Sequence, residues 1–87
     1  EAWTPPRFVF TNTDGYLRIV LPNEAGKSYS IKFFTSDDKF LFELKDIKER
    51  SFKLDKTDFY RSGWFKFELY EDGVLKEKNK FFLPKEF

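Results

Sequence analysis

Gly63-Trp64-Phe65-Lys66-Phe67-Glu68-Leu69-Tyr70-Glu71-Asp72-Gly73 is the stretch that decides the fold. Phe65, Phe67 and Leu69 fall on one side of a period of two, and Trp64, Lys66, Glu68 and Tyr70 fall on the other. This alternation marks a strand with one face in a core and one toward water. Glu71-Asp72-Gly73 then reads as a three-residue hairpin loop, with glycine where a positive φ is wanted. Beyond it, Val74 to Leu83 makes a last strand whose middle, Lys76-Glu77-Lys78-Asn79-Lys80, is charged. Such a strand belongs at a sheet edge, where lysines discourage pairing with another chain.

The same rhythm recurs toward the amino terminus. Ser28 to Thr35 alternates Tyr29, Ile31 and Phe33 with Ser30, Lys32 and Phe34. After a turn at Ser36-Asp37-Asp38-Lys39, the residues Phe40, Phe42 and Leu44 alternate with Leu41, Glu43 and Lys45 in a fourth strand paired to the third. Phe52 and Leu54 flank Lys53 in a short fifth strand. Arg7 to Thr11 and Tyr16 to Leu21 form an opening hairpin around Asn12-Thr13-Asp14-Gly15, closed by Pro22. Asp55 to Gly63 is expected to cross between sheets as one helical turn or an irregular loop.

Seven short strands without a helical period predict an all-β fold, a seven-stranded antiparallel immunoglobulin-like β-sandwich. A five-stranded oligonucleotide-binding barrel would want fewer, longer strands and a basic groove. Residues 1–87 read as one domain, with 1–6 as an amino-terminal arm. A chain that opens Glu1-Ala2-Trp3 and holds no methionine is expected to be a domain cut from a longer precursor.

Thirteen of the 87 residues are phenylalanine, and cysteine and histidine are absent. Each aromatic ring can bury about 150–250 Å². The expected packing set is Phe8, Phe10, Tyr29, Phe33, Phe40, Phe42, Phe52, Phe65, Phe67 and Phe81. Lysine and arginine number 16 against 15 acids, for a net charge of +1. That balance gives no electrostatic reason to expect nucleic acid or an anionic membrane surface. No run approaches the roughly 18 apolar residues of a spanning helix, so membrane insertion is not expected.

Without cysteine and histidine, the commonest thiol nucleophile and the commonest general base are missing. The chain is therefore expected not to be an enzyme, and no cofactor is expected. Asp55 and Asp58, with Thr57 between them, and the Asp37-Asp38 pair offer oxygen ligands of the kind calcium prefers. Aspartate in a turn more commonly hydrogen-bonds its own backbone, and these spacings lack the full oxygen set of a calcium site. No metal site is assigned, and a calcium ion near Asp55 and Asp58 stays open.

Of the aromatic residues outside the packing set, four are candidates for recognition: Trp3, Phe34, Trp64 and Tyr70. Exposed rings can stack on sugar faces or anchor a protein partner. The plainer reading has Trp64 and Tyr70 capping the sheet ends and Trp3 folding back over a core edge. Lys32 and Lys66 could contact RNA, but Glu43 and Glu68 beside them make cross-strand charge pairing the simpler account.

Leu54-Asp55-Lys56-Thr57-Asp58-Phe59 followed by Ser62-Gly63-Trp64-Phe65-Lys66-Phe67 resembles the approach to the sixth strand of immunoglobulin-like and fibronectin-like domains. Phe65 stands where that pattern has tyrosine, so the corner hydrogen bond of a phenol hydroxyl is not expected. Tyr29 to Leu83 also resembles the carboxy-terminal sorting domains of the type IX secretion system of Bacteroidetes. The shared rhythm lies in Tyr29-Ser30-Ile31-Lys32-Phe33-Phe34, Asp38-Lys39-Phe40-Leu41-Phe42 and Gly63 to Leu69, then Asp72-Gly73 and a lysine-rich last strand. Pro22-Asn23 replaces that family's opening Pro-Asn-Pro, and Lys85-Glu86-Phe87 replaces its basic terminus.

The leading expectation is a non-catalytic accessory or protein-interaction domain of a secreted or cell-envelope bacterial protein. Its partner would be another protein or its parent polypeptide, recruited at a free sheet edge with aromatic anchors. Two alternatives accompany this expectation. One is a carboxy-terminal secretion-sorting domain, and the other is a carbohydrate-binding module using Trp64, Tyr70 and Trp3.

Overall fold

The computed structural model describes residues 8–11, 16–21, 26–55, 59 and 62–83. Among these lie seven strands: β1 (Val9–Thr11), β2 (Tyr16–Val20), β3 (Tyr29–Thr35), β4 (Phe40–Ile47), β5 (Ser51–Asp55), β6 (Gly63–Glu71) and β7 (Val74–Leu83). They form two antiparallel sheets, of order β1-β2-β5 and β4-β3-β6-β7. Three hairpins join neighbours in sequence: β1–β2, β3–β4 and β6–β7. The pairings β2–β5 and β3–β6 join strands distant in sequence and place β2 and β3 in sheet interiors.

Alternation selects what each sheet turns inward. Val9, Leu17 and Ile19 are buried on the three-stranded sheet, and Phe52 and Leu54 of β5 pack against them. Tyr29, Ile31, Phe33, Phe65, Phe67, Leu69, Phe81 and Leu83 are buried on the four-stranded sheet. Apolar faces of two sheets thus close on one core, the sandwich-like arrangement that hides both at once. No polar or charged residue is buried among the described residues.

The last hairpin turns tighter than its sequence suggests. Glu71 is still in β6 and Val74 already in β7, so the loop is two residues, Asp72 and Gly73. Both have positive φ, 52° and 82°, which is the requirement of a type I′ turn. The Asp72 amide donates to the Ser28 carbonyl at 2.8 Å, and its carboxylate accepts from the Ser28 amide at 2.9 Å. The turn is thereby tied to the start of β3.

Two rings expected in the core lie outside it. Val9 pairs with the buried Ile19, so parity sends its neighbour Phe10 outward beside Arg18, where it is 39% exposed. Phe8, ahead of the strand, packs partly against the core. Phe40 is 57% exposed. Its displacement is a register effect: Phe33 pairs with Phe42 but Phe34 pairs with Phe40, so β4 carries one extra residue, Leu41. A bulge of this kind shifts every side chain beyond it to the opposite face. A second shift lies between the pairs Tyr29–Ile47 and Ile31–Leu44, and lets Leu44 and Ile47 both pack on the core.

The centre of the core is a ring that alternation does not assign. Phe59, in the connection between β5 and β6, is buried. Its ring centroid lies 5.3 Å from Phe33, 5.4 Å from Phe42, 5.2 Å from Phe65 and 5.7 Å from Phe81. These tilted and edge-to-face contacts suit the quadrupole of aromatic rings. Phe65 lies in this cluster, so the position where a corner tyrosine would stand carries packing instead.

Candidate functional site

The outer face of the four-stranded sheet collects side chains that the core does not need. Its rows are set by register: Phe40, Phe34, Lys66 and Lys80 run across β4, β3, β6 and β7, and Trp64 and Phe82 pair one step farther on. The Phe34 and Phe40 rings meet edge to face at 5.9 Å. Trp64 and Phe82 meet at 5.3 Å with ring planes 61° apart. Phe40 at 57%, Phe82 at 44% and Trp64 at 39% keep much of their surface in water. Two aromatic pairs, exposed at Phe40, Trp64 and Phe82 and half-buried at Phe34, therefore flank the lysine pair at one end of the sheet.

Three of the four recognition candidates lie on this face, but they do not form one cluster. Phe34 and Trp64 share the aromatic end. Tyr70 stands six residues along β6 from Trp64, which is about 20 Å at strand rise. Trp3 and the residues 56–58, with Asp58, lie outside the described residues, as does the Asp55 side chain. Phe40 and Phe82 are the site residues that the sequence reading assigned elsewhere or passed over. Phe82 had a usable signal, since an inward Phe81 forces its neighbour outward; Phe40 had none, because only the bulge moves it.

Charges interleave with the rings. Lys66 Nζ lies 2.8 Å from the Asp38 carboxylate, across the β3–β4 turn rather than on Glu68. Glu68 instead faces Lys32 in register and lies 3.8 Å from Lys78 Nζ. Lys32 is also in register with Glu43, as cross-strand pairing anticipates. Asp37 accepts from the Thr35 hydroxyl, and the Thr35 hydroxyl oxygen accepts from the Lys39 amide at 3.0 Å. Both aspartates of this turn are thus occupied by protein groups. Among the described residues, no group of three or more acids, histidines or cysteines could hold a metal ion.

Cations also cover ring faces. Lys80 Nζ sits 5.0 Å from the Trp64 ring centre, and Lys32 Nζ sits 5.2 Å from that of Tyr70. Both distances lie within the reach of cation–π attraction. The Tyr70 hydroxyl donates to the Glu68 carboxylate. That hydrogen bond, with burial and the negative charges of Glu68 and Glu43, raises the Tyr70 pKa above its ordinary 10.0. Proton loss would leave two negative groups facing each other, so the phenol keeps its proton.

Two shallow hollows open on this face. One, about 250 Å³, is lined by Lys66, Lys78, Asn79 and Lys80. The other, about 260 Å³, is lined by Phe34, Asp38, Lys66, Phe67, Glu68 and Lys78. They are the size of side-chain subsites, below the usual range of about 300–1,000 Å³ for small-molecule pockets. No family model, curated protein or solved structure matches the chain.

Proposed function

We propose that this chain is an immunoglobulin-like or fibronectin-like sandwich that serves a secreted or cell-envelope bacterial protein as a non-catalytic protein-interaction domain. The strand order β1-β2-β5 against β4-β3-β6-β7, with three changes of sheet along the chain, supports that topology. The observation that carries the interaction reading is the pair of exposed ring contacts, Phe34–Phe40 and Trp64–Phe82, at one end of one sheet face. Rings anchored on strands lose little freedom on binding, and aromatic anchors dominate protein interfaces.

The face is a better candidate than the sheet edges. β4 carries two register shifts and β7 a run of charges, and both features oppose strand addition. A protein partner also suits the rings better than a sugar does. Lys80 over Trp64 and Lys32 over Tyr70 occupy ring faces on which a pyranose would stack.

Site-specific photo-crosslinking tests the proposal. Benzoylphenylalanine in place of Phe82 should give a discrete protein adduct in the producing cell, and the same group in place of Phe10, on the other sheet, should not. No adduct at Phe82, or equal adducts at both positions, would remove the reading. A glycan-array signal abolished by Trp64→Ala would establish the carbohydrate alternative in its place.

A further inference from the structure

We infer that the aromatic end of the four-stranded sheet accepts an acidic peptide in the polyproline II conformation laid across the strands, with an apolar side chain three residues from a carboxylate. This deepens the protein-interaction reading and rests on it. A like-charge pair marks this face. Lys66 and Lys80 stand directly opposite each other on β6 and β7, and like charges in that position destabilise a sheet. Lys66 finds relief in Asp38, whose side chain is 74% exposed. Lys80 finds it only in the Trp64 ring, since among the described residues no carboxylate pairs with it. The hollow between them has three lysines and an asparagine for its lining and no acid.

An incoming carboxylate in that hollow would relieve the repulsion directly. It would compete with Asp38 only for an exposed ion pair, the kind that holds weakly. The flanking rings supply the apolar half of the recognition. Phe34 and Phe40 lie in the same cross-strand row as Lys66 and Lys80. Adjacent strands are about 4.8 Å apart, so the centre of the ring pair and the centre of the lysine pair are about 10 Å apart. A peptide in the polyproline II conformation advances about 3.1 Å per residue and repeats its face every three residues, so side chains at i and i+3 fall on one side about 9 Å apart and match that span.

Charge also argues against a second copy of the chain as occupant. An isologous contact whose two-fold axis runs along the Phe40–Lys80 row would set the Lys66–Lys80 pair of one copy against that of the other. The outer face of the three-stranded sheet is the internal competitor, because Phe10, Arg18 and Lys53 form a row there. Binding there would place the peptide on the wrong sheet.

The test uses the 87-residue chain and two synthetic decapeptides in a serine–glycine background. One carries a phenylalanine and, three residues on, a glutamate; the other has lysine for the glutamate. Amide chemical-shift titration should move Trp64, Lys66, Lys80 and Phe82, with the acidic peptide at least about tenfold tighter. Salt at about 0.5 M should erase most of that preference. The double variant Lys66→Glu, Lys80→Glu should bind the lysine peptide instead, a reversal that misfolding cannot imitate. Equal binding of both peptides, no shift with either at about 1 mM, shifts confined to Phe10, Arg18 and Lys53, or an unreversed preference in the double variant would each overturn the inference. If the Phe82 crosslink forms while these results fail, the interaction face stands and its acidic specificity falls.

Discussion

The β6–β7 and β3–β4 hairpins belong to one sheet and are built from similar residues, yet they follow different rules. β6 and β7 pair without interruption from Gly63–Leu83 to Leu69–Glu77, and shift only beside the turn. β3 and β4 shift register twice. In the first hairpin a side chain's face follows from counting by two. In the second, one extra residue sends Phe40 to the surface while Phe42, two positions away, reaches the core. An inserted residue in an edge strand costs little pairing and creates a surface ring pair whose Phe40 member strict alternation would have buried.

The two hairpins share one ring, and the largest effect is expected there. Phe59 touches Phe33 and Phe42 from one and Phe65 and Phe81 from the other. Phe59→Ala should cost about 3–5 kcal/mol, read as a lower urea midpoint. A loss under about 1 kcal/mol would mean that the two hairpins pack independently.

The next test sits within β4. Counting by two makes Phe40 and Phe42 equivalent, whereas the bulge makes them opposites. Phe42→Ala should lose about 2–3 kcal/mol, because its ring lies 4.9 Å from Phe33. Phe40→Ala should stay within about 0.5 kcal/mol of the parent. Thermal melts of the two variants side by side decide the matter, and equal losses would restore the unbulged register.

A smaller effect is expected at the β6–β7 turn. Gly73 has φ +82°, and a Cβ there would meet nothing within 4 Å. The cost of Gly73→Ala is therefore backbone strain alone, about 1 kcal/mol. Gly73→Asn should recover part of it, since asparagine tolerates that conformation better. Denaturant unfolding of the pair would show whether turn conformation, rather than space, limits this hairpin.

The smallest effect is one of pH. The Tyr70 pKa is raised in the folded chain, so the folded state holds the proton more firmly than the unfolded state. The stabilisation is fully present below pH 10.0 and is lost as pH rises through the folded value. The stability difference between the parent and Tyr70→Phe should be flat up to that point and shrink above it. A difference that grows with pH would show that Glu68 does not hold the phenol.

Local pattern alone determined the all-β class, all seven strands, the inward set of β6 and the edge position of β7, because a period of two is written residue by residue. It also determined that Phe34, Trp64 and Tyr70 face away from the core, since each neighbours a residue the core requires. Tertiary structure decided what depends on partners distant in sequence. The pairings β2–β5 and β3–β6 fixed which strands share a sheet, and the register of β3 against β4 exposed Phe40. Phe59 entered the core because four rings from other elements left a place for it, which no periodicity in its own loop encodes. The Lys66–Lys80 opposition likewise arises only when β6 and β7 align, so the candidate site consists of residues legible singly and of neighbours that only the sheet brings together.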